Sequence, residues 1–122
     1  IFGLPGESKE QMIAMAAEIN KMAVNSVKFH QLQIVKGTYM EQEFAESPQD
    51  FVQFSLEEYI DFFIDFLELL RPDIHIERFA GEVPPKFVNN MPWGTIRYTE
   101  IHRLMEKRLS ERDTWQSRRY NP

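Results

Sequence analysis

The sequence predicts a single α/β domain with parallel strands, and two observations lead to that fold class. Short apolar or alternating stretches, which are typical of strands, occur at residues 1–2, 27–35 and 74–79. Apolar residues recur at helical spacing over residues 9–22 and 56–70, between those stretches. Strands that alternate with helices of this length form right-handed βαβ units. We therefore expect about three parallel strands alternating with helices, and a further helix at the carboxyl end.

The length and composition favour one globular domain over residues 1–122. Apolar residues make up 43% and charged residues 27%, which is ordinary for a folded chain and argues against disorder. The net charge of −5 argues against general nucleic-acid affinity of the whole surface. The chain has no cysteine, which excludes disulfides and cysteine-ligated zinc or iron–sulfur clusters within it.

The chain shows no targeting segment. It contains neither a membrane-spanning apolar run nor a signal peptide, so we expect a cytoplasmic protein without a membrane partner. It also starts without methionine, inside an apparent strand, which indicates a piece of a longer polypeptide.

A turn over residues 1–8 joins the first strand to the first helix. Gly3 and Gly6 permit unusual backbone angles or a close approach, while Pro5 fixes its own φ. Ser8 and Gln11 fit a capping box, which begins a helix. Turns of this kind lie at the carboxyl ends of parallel strands, where ligands bind. The alternative is an ordinary βα turn, since Gly-Pro-Gly punctuation is common.

The next two elements are a helix and a strand. The helix over residues 9–22 has a methionine-rich apolar stripe, which we expect to lie in the core. The strand over residues 27–35 alternates, but both of its faces are mixed, so His30 and Gln31 need buried partners. The turn over residues 36–38 closes that strand, and its backbone N–H groups could hold a ligand.

A long apolar helix over residues 56–70 dominates the middle of the chain. Ser55 and Glu58 form its capping box, and Ser47 begins a shorter helix in an otherwise irregular stretch. The apolar residues of the long helix cover more than one face, so the helix is sandwiched or meets a partner. Its acidic residues indicate a solvated stripe rather than a carboxylate metal site, because the helix contains no histidine.

The carboxyl-terminal part begins with a third strand over residues 74–79. Trp93, in a later loop, is expected to anchor packing. A last helix begins near residue 95 or 99 and ends near residue 109, and the polar residues 112–122 are predicted to fray.

Few residues carry recognisable chemistry. The histidines lack metal-ligand spacing, and no HExxH, GxSxG, Walker or GxGxxG motif occurs. The candidates from the residues alone are strand-end turns and polar strand residues, because the ends of parallel strands meet at one edge. They are the turns 3–7 and 36–38, His30 and Gln31, and, as substrate contacts, His75, Glu77 and Arg78. The alternatives are a satisfied strand histidine for His75 and an ion pair for Arg78.

The stretch IFGLPGES at residues 1–8, followed by a helix, resembles the fifth-strand turn of radical S-adenosylmethionine enzymes. The resemblance is closest to the branch related to oxygen-independent coproporphyrinogen oxidase and Elongator-type proteins. Residues 27–38, VKFHQLQIVKGT, are similar to the sixth strand of one uncharacterised bacterial subfamily of that branch. The tail from Pro92 to Gln116 also resembles the end of that subfamily, so the resemblance covers nearly the whole chain.

That resemblance implies a partial (β/α) TIM-like barrel in which S-adenosylmethionine lies across the carboxyl ends of the strands. It assigns cofactor contacts to Gly3, Leu4, Pro5, Gly6, Glu7, His30, Gln31, Leu32, Gly37 and Thr38. The family's CxxxCxxC loop, which ligates a [4Fe–4S] cluster, is absent from this chain, so the cluster ligands are expected outside it.

The function implied is that of a carboxyl-terminal segment of a radical S-adenosylmethionine iron–sulfur oxidoreductase. Such a segment completes the barrel and contributes to the adenosyl and substrate pocket. We expect it to be inactive by itself, with no catalytic or metal-ligating residue of its own. The alternative is a non-catalytic α/β binding or interaction module.

Three partners are expected. The remainder of its own polypeptide would complete the barrel, and a second copy would cover the unpaired sheet edge and the long apolar helix, so the fragment is predicted to be a homodimer. RNA is a candidate substrate, because Elongator-type relatives act on tRNA and basic residues outnumber acidic ones between Arg97 and Arg119. A solvated helix face with ion pairs inside the helix is the alternative to an RNA surface.

Overall fold

The computed structural model describes residues 1–88 and 92–122 and shows short parallel strands packed against helices. The helices are α1 (Lys9–Asn20), α2 (Tyr39–Glu46), α3 (Leu56–Leu69) and α4 (Tyr98–Glu111), and the strands are β1 (Ser26–Lys28) and β2 (His75–Arg78). Short 3-10 turns occur at Pro48–Asp50 and Pro85–Phe87. Among these described helices, none is long and apolar enough to cross a membrane.

β1 and β2 pair in parallel, and the chain around Phe2 adds a third parallel segment beside β1. Ser26 lies opposite His75 in the register, so both strands start at the same edge of the sheet. The Phe2 N–H donates to the His30 carbonyl at 2.8 Å, and the Leu32 N–H donates to the Phe2 carbonyl at 2.8 Å. The predicted α/β class with parallel strands is confirmed, although the first of the three segments is a single bridge rather than a strand.

The strand predicted over residues 27–35 is shorter: the Phe29 N–H still donates to the Arg78 carbonyl at 2.7 Å, and beyond it the Gln31 side chain takes over the bonding to the neighbouring segment. The buried carboxamide of Gln31 donates to the Gly81 carbonyl at 3.0 Å and accepts from the Gly81 N–H at 2.8 Å. These bonds give Gln31 the buried partners that its position requires. The His30 ring packs on the same glycine, since a Cβ built on Gly81 would lie 1.7 Å from His30 Nε2.

The core forms around α3, whose predicted capping box at Ser55 and Glu58 is confirmed. α1 and α4 both pack against α3, so the helix is sandwiched within this chain. Phe2 packs against α3, with its ring centroid 4.9 Å from that of Phe62 and 5.1 Å from that of Phe66. Most residues of α3 are buried, and its apolar faces therefore need no partner for cover.

α1 begins at its predicted capping box but buries only one narrow face. Met12 and Ala16, four residues apart, are buried in the core. Met15 is 45% exposed, and Met22, which lies beyond the end of the helix, is 51% exposed. The prediction that the whole stripe belongs to the core is wrong at Met15 and Met22, whereas Ile13 and Ile19 are partly buried against the core.

α2 was not predicted from the sequence, because it has no buried residue and hence no apolar stripe. Its N-cap is Thr38, whose hydroxyl accepts from the Glu41 N–H at 3.3 Å. The Gly37 N–H donates to the Glu41 carboxylate at 3.1 Å. The short helix predicted from Ser47 is only the 3-10 turn Pro48–Asp50.

The acidic side of α3 faces arginines of α4 rather than water alone. Asp61 Oδ1 lies 2.7 Å from Arg108 Nε and 3.2 Å from Arg112 Nη1, and Arg112 Nη2 lies 2.7 Å from Asp65 Oδ1. The hydrogen bond from Arg108 is the main cause that lowers the pKa of Asp61, so this carboxylate is ionised at neutral pH. Asp61 and Asp65 nevertheless remain 41% and 49% exposed, and the predicted solvated stripe is wrong only for Glu68, which is buried and accepts from the Thr114 hydroxyl.

Residues 112–122 were predicted to fray, but they dock on the carboxyl end of α3. The N–H groups of Ser117 and Arg119 donate to the carbonyls of Leu67 and Glu68 at 3.1 and 2.8 Å. The side-chain amide of Gln116 donates to two carbonyls after α3, at 3.0 and 2.9 Å. The last carbonyls of a helix lack partners inside the helix, and here the tail supplies the donors.

Replacing Arg112 with glutamine should lower the free energy of unfolding by about 1–3 kcal/mol, because three carboxylates, those of Asp61, Asp65 and the buried Glu68, lose their shared cation. The matched control is Arg103→Gln, whose partner Glu100 lies on the same helix and is half exposed. The control should change stability by less than about 0.5 kcal/mol. Urea unfolding followed by circular dichroism measures both, and equal losses would contradict the interface role of Arg112.

Replacing Gly81 with alanine should lower the free energy of unfolding by about 1–2 kcal/mol, since the new methyl group would occupy the place of the His30 ring. In a His30→Ala background the same replacement should cost much less, because the obstructing ring is gone. A double-mutant cycle measures this coupling. A coupling energy near zero would show that the ring does not lie against Gly81.

Candidate functional site

A cleft of about 550 Å³ opens at the carboxyl ends of the parallel segments. Residues 2–3, 31–34 and Gly81, at or just after the three segments, form its floor. Residues 51–54 and 92–97 form its sides. Ligand sites of parallel α/β sheets lie at this edge, so the cleft is the candidate functional site.

The lining of the cleft is mostly apolar. The indole N–H of Trp93 donates to the Phe54 carbonyl at 3.0 Å, and the indole ring lies 5.0 Å from the Tyr59 ring. Trp93 thus ties residues 92–97 to the start of α3, and its predicted role as a packing anchor is confirmed. The carboxamides of Gln33 and Gln53 are among the few polar groups of the lining.

A charged pair stands at the rim of the cleft. Glu82 accepts from Arg97 Nε at 3.2 and 3.3 Å, and also from the Tyr98 N–H at the start of α4. The hydrogen bond from Tyr98 is the main cause that lowers the pKa of Glu82, and the bond from Arg97 adds to it. The N-cap side chain of α4, that of Arg97, makes no cap hydrogen bond, and Glu82 supplies a cap in its place.

Sequence reasoning missed this pair. Glu82 and Arg97 are 15 positions apart, and both lie in irregular segments. No helical or strand spacing relates them, so only the fold brings them together. An acidic residue near a helix start would have been the one available signal, but Glu82 is remote in sequence from the start of α4.

Three of the predicted cofactor residues line the cleft: Gly3, Gln31 and Leu32. Gly3 has a φ of +96°, and a Cβ built on it would lie 3.4 Å from the Val52 carbonyl oxygen. The backbone angle therefore favours glycine, while an added Cβ would meet the cleft side only in ordinary van der Waals contact. The carboxamide of Gln31 is engaged with Gly81, so this residue shapes the floor of the cleft.

The rest of the first turn, Leu4, Pro5, Gly6 and Glu7, closes on itself beside the cleft. The Glu7 N–H donates to the Leu4 carbonyl at 3.1 Å, and the Gly6 N–H donates to the Asp50 carbonyl at 2.8 Å. Gly6 has a φ of +84° and open space around its Cβ position, so its backbone angle rather than a close approach favours glycine. The cofactor role of these four residues stays a prediction.

His30, Gly37 and Thr38 lie outside the cleft. His30 borders a neighbouring depression of about 290 Å³, together with Ile1. Gly37 and Thr38 belong to the start of α2, where the Gly37 N–H is already engaged by Glu41. Their contact with a cofactor stays a prediction, and that of Gly37 would require its N–H to leave Glu41.

The predicted substrate residues of the third strand do not line the cleft. His75 is the first residue of β2, so it is exposed at the amino edge of the sheet. Glu77 is also exposed, and the Arg78 guanidinium lies 5.2 Å from the Tyr98 ring centroid. The expectation that His75 converges with the strand ends is wrong, because β2 carries it at the opposite edge.

The chain offers no ligand set for a metal cluster. Within residues 1–88 and 92–122, no three histidine, aspartate or glutamate side chains are grouped as metal ligands. Because the sequence has no cysteine, its residues do not fit an iron–sulfur cluster. The site can bind and orient a ligand in the cleft and can exclude water from it.

Comparison with known proteins relates this architecture to a family. Residues 24–110, more than half of the chain, match the Radical_SAM C-terminal domain. The uncharacterized protein YtqA of Bacillus subtilis is 26% identical over 118 residues, which cover 97% of this chain and 36% of YtqA. The uncharacterized protein MJ0486 of Methanocaldococcus jannaschii is 29% identical over 120 residues, which cover 98% of this chain and 37% of MJ0486. The chain thus spans little more than a third of the length of these relatives.

A solved structure shares the fold. The archaeal Elp3 of Methanocaldococcus infernus, with residues 1–46 of its N-terminus deleted, matches 95% of this chain and 26% of the Elp3 chain, with a TM-score of 0.75 and 18% identity. At that identity the likeness concerns the fold alone. The family match extends from just before β1 to the end of α4, and the chain therefore belongs to the Radical_SAM C-terminal domain family.

Proposed function

We propose that the chain is the carboxyl-terminal segment of a radical S-adenosylmethionine iron–sulfur oxidoreductase, in which it completes a partial (β/α) barrel. The proposal extends to the branch related to oxygen-independent coproporphyrinogen oxidase and Elongator-type proteins, and to a cytoplasmic location. The observation that carries it is the cleft, which lies at the carboxyl ends of the parallel segments in a chain of this family. In this proposal the cleft contributes to the pocket for the adenosyl group and the substrate.

The proposed cofactors of the full-length protein are S-adenosylmethionine and a [4Fe–4S] cluster. The cluster would supply the electron that reduces S-adenosylmethionine, and its ligands would lie in the part of the polypeptide outside this chain. The relatives are nearly three times as long as the stretch they share with this chain, which leaves room for that part.

The contribution of this chain would be binding and exclusion of water. Phe51, Phe54 and Trp93 offer apolar surface to a bound ring, and the carboxamides of Gln33 and Gln53 offer hydrogen bonds. The two charged groups of the lining are paired with each other at the rim. The interior is therefore suited to an uncharged group such as the adenosyl moiety.

Filling the cleft tests this proposal. In the full-length protein with its cluster reconstituted, Ile34→Trp should weaken S-adenosylmethionine binding by about tenfold or more, because the larger ring occupies the space above the strand ends. Calorimetry gives the Kd, and formation of 5′-deoxyadenosine gives the activity. The matched control, Met22→Trp, alters an exposed side chain beyond α1 and should change neither quantity.

Two results would contradict the proposal. Unchanged affinity and activity of the Ile34→Trp protein would remove the cleft from the cofactor site and favour a non-catalytic binding or interaction module. Formation of 5′-deoxyadenosine by the 122-residue chain alone, after the same reconstitution, would show that the cluster ligands are not needed from elsewhere.

We also propose that the isolated chain forms a homodimer through the sheet edge beside Phe2. Ile1 is 68% exposed at that edge, whereas the Gly3 N–H is buried and donates to the Met12 sulfur at 3.1 Å, so the open part of the edge lies at Ile1. Edges of this kind pair with other strands. The faces of α3 give no support to the dimer, because they are covered within the chain.

Sedimentation equilibrium of the isolated chain should show a species heavier than 14.5 kDa that dissociates on dilution. A single species of 14.5 kDa across micromolar concentrations would contradict the dimer.

RNA as a substrate of the full-length protein also stays a proposal. Four of the basic residues between Arg97 and Arg119 are paired with carboxylates: Arg97, Arg103, Arg108 and Arg112. Only Arg103 has its partner, Glu100, inside α4, as the ion-pair alternative requires, and the other three pair with carboxylates outside that helix. Lys107, Arg118 and Arg119 are exposed and would be the residues left to meet a phosphate backbone.

A further inference from the structure

The described part of the cleft has two charged side chains, which differ in how many of their hydrogen-bonding atoms already have a partner. Glu82 and Arg97 are the only charged side chains among the described residues that line it. All other lining side chains are neutral, and most are apolar. A ligand body that carried charge would lose its hydration without finding an opposite charge inside, so the cleft favours an uncharged, apolar body.

Glu82 already has its cation in Arg97 and its backbone donor in Tyr98. Its carboxylate accepts from the Tyr98 N–H and, with both oxygens, from Arg97 Nε. The hydrogen bond to Tyr98 caps α4, so releasing Glu82 would also leave the first turn of that helix without its cap. Glu82 is therefore a positioning residue, which holds Arg97 at the rim.

Arg97, by contrast, has most of its donors available. It contacts Glu82 through Nε alone, and within the described part of the chain neither of its Nη groups has a hydrogen-bond partner. The side chain is 81% exposed. A guanidinium carries five N–H donors in a planar fork, and the pair of Nη groups matches the oxygens of a carboxylate or a phosphate.

We propose that the cleft takes a molecule with a flat apolar body and an oxyanion at one end, and that Arg97 binds the oxyanion. The inference rests on the proposed role of the cleft as a ligand site and names the substrate class of that site. The adenosyl group carries no oxyanion, so the oxyanion is either that of the substrate or the carboxylate on the methionine part of S-adenosylmethionine. The apolar body lies against Trp93 and Phe51, and the oxyanion stays at the rim, where it keeps part of its hydration.

A pair of fluorescent probes that differ in one charged group tests the inference on the 122-residue chain. The anionic probe is 1-anilinonaphthalene-8-sulfonate, and N-phenyl-1-naphthylamine has the same rings without the sulfonate. Arg97→Gln should weaken binding of the sulfonate probe by about fivefold to tenfold and leave the neutral probe within about twofold. Added salt, about 0.5 M, should weaken the sulfonate probe on the wild-type chain and have little effect on the Arg97→Gln chain.

Two controls tie the signal to the cleft and to this arginine. Trp115→Phe leaves Trp93 as the sole tryptophan, so energy transfer to a bound probe reports occupancy of the cleft. Arg103→Gln removes an equal charge from the outer face of α4 and should change the affinity of neither probe. Competition by 1-naphthoate or by 1-naphthyl phosphate, compared with uncharged 1-naphthol, identifies which oxyanion Arg97 prefers.

The outcomes separate this inference from the proposed function. If neither probe receives energy from Trp93, the inference about Arg97 falls, and the proposed function is decided separately by the Ile34→Trp experiment on the full-length protein. If both probes bind there but Arg97→Gln leaves the sulfonate probe unchanged, the anion-binding role of Arg97 is overturned and the proposed function stands. Equal weakening by Arg103→Gln, or equal competition by 1-naphthol, would also overturn the role of Arg97.

Discussion

The burial of Phe2 against α3 is the contact on which the rest of the structure depends. Its ring stacks on Phe29 at 5.5 Å and meets Phe62 and Phe66 edge-on at 4.9 and 5.1 Å. Burying one such side chain contributes about 1.5–3 kcal/mol, and aromatic pairing adds to that. The contact holds the first parallel segment, β1 and the long helix together. The residues that follow Phe2 and Phe29 are therefore brought side by side, and the cleft opens where they end.

Backbone groups at the ends of the elements find their partners far away along the chain. Asn20, at the end of α1, donates to the Leu69 carbonyl at 2.9 Å and accepts from the Arg71 N–H at 2.9 Å. Gln31 likewise donates to the Gly81 carbonyl and accepts from the Gly81 N–H, and Glu82 caps α4. An unpaired buried peptide group costs about 1–3 kcal/mol. These side chains therefore determine how the loops run, including those that border the cleft.

The family and the geometry of the chain lead to a division of labour in the proposed function. Without cysteine, the chain has no ligands for the cluster, and that chemistry falls to the rest of the polypeptide. The cleft supplies what parallel strand ends can supply: a floor of residues at the strand ends, aromatic sides and a charged pair at the rim. Since Glu82 both caps α4 and orients Arg97, the rim is coupled to the helix that packs on α3.

The sequence by itself determined what depends on neighbours a few residues apart. The α/β class, the helices α1, α3 and α4 and the capping boxes follow from spacings of three and four residues, and the missing cysteines decided that no cluster is held here. Only the tertiary structure decided the rest. α2 has no apolar stripe from which it could be predicted. The acidic residues of α3 pair with arginines of α4 because the two helices pack side by side in the fold. The tail docks where it supplies N–H donors to the last carbonyls of α3. Glu82 and Arg97 became a pair for the same reason: contacts between distant residues leave no periodic trace in a single sequence.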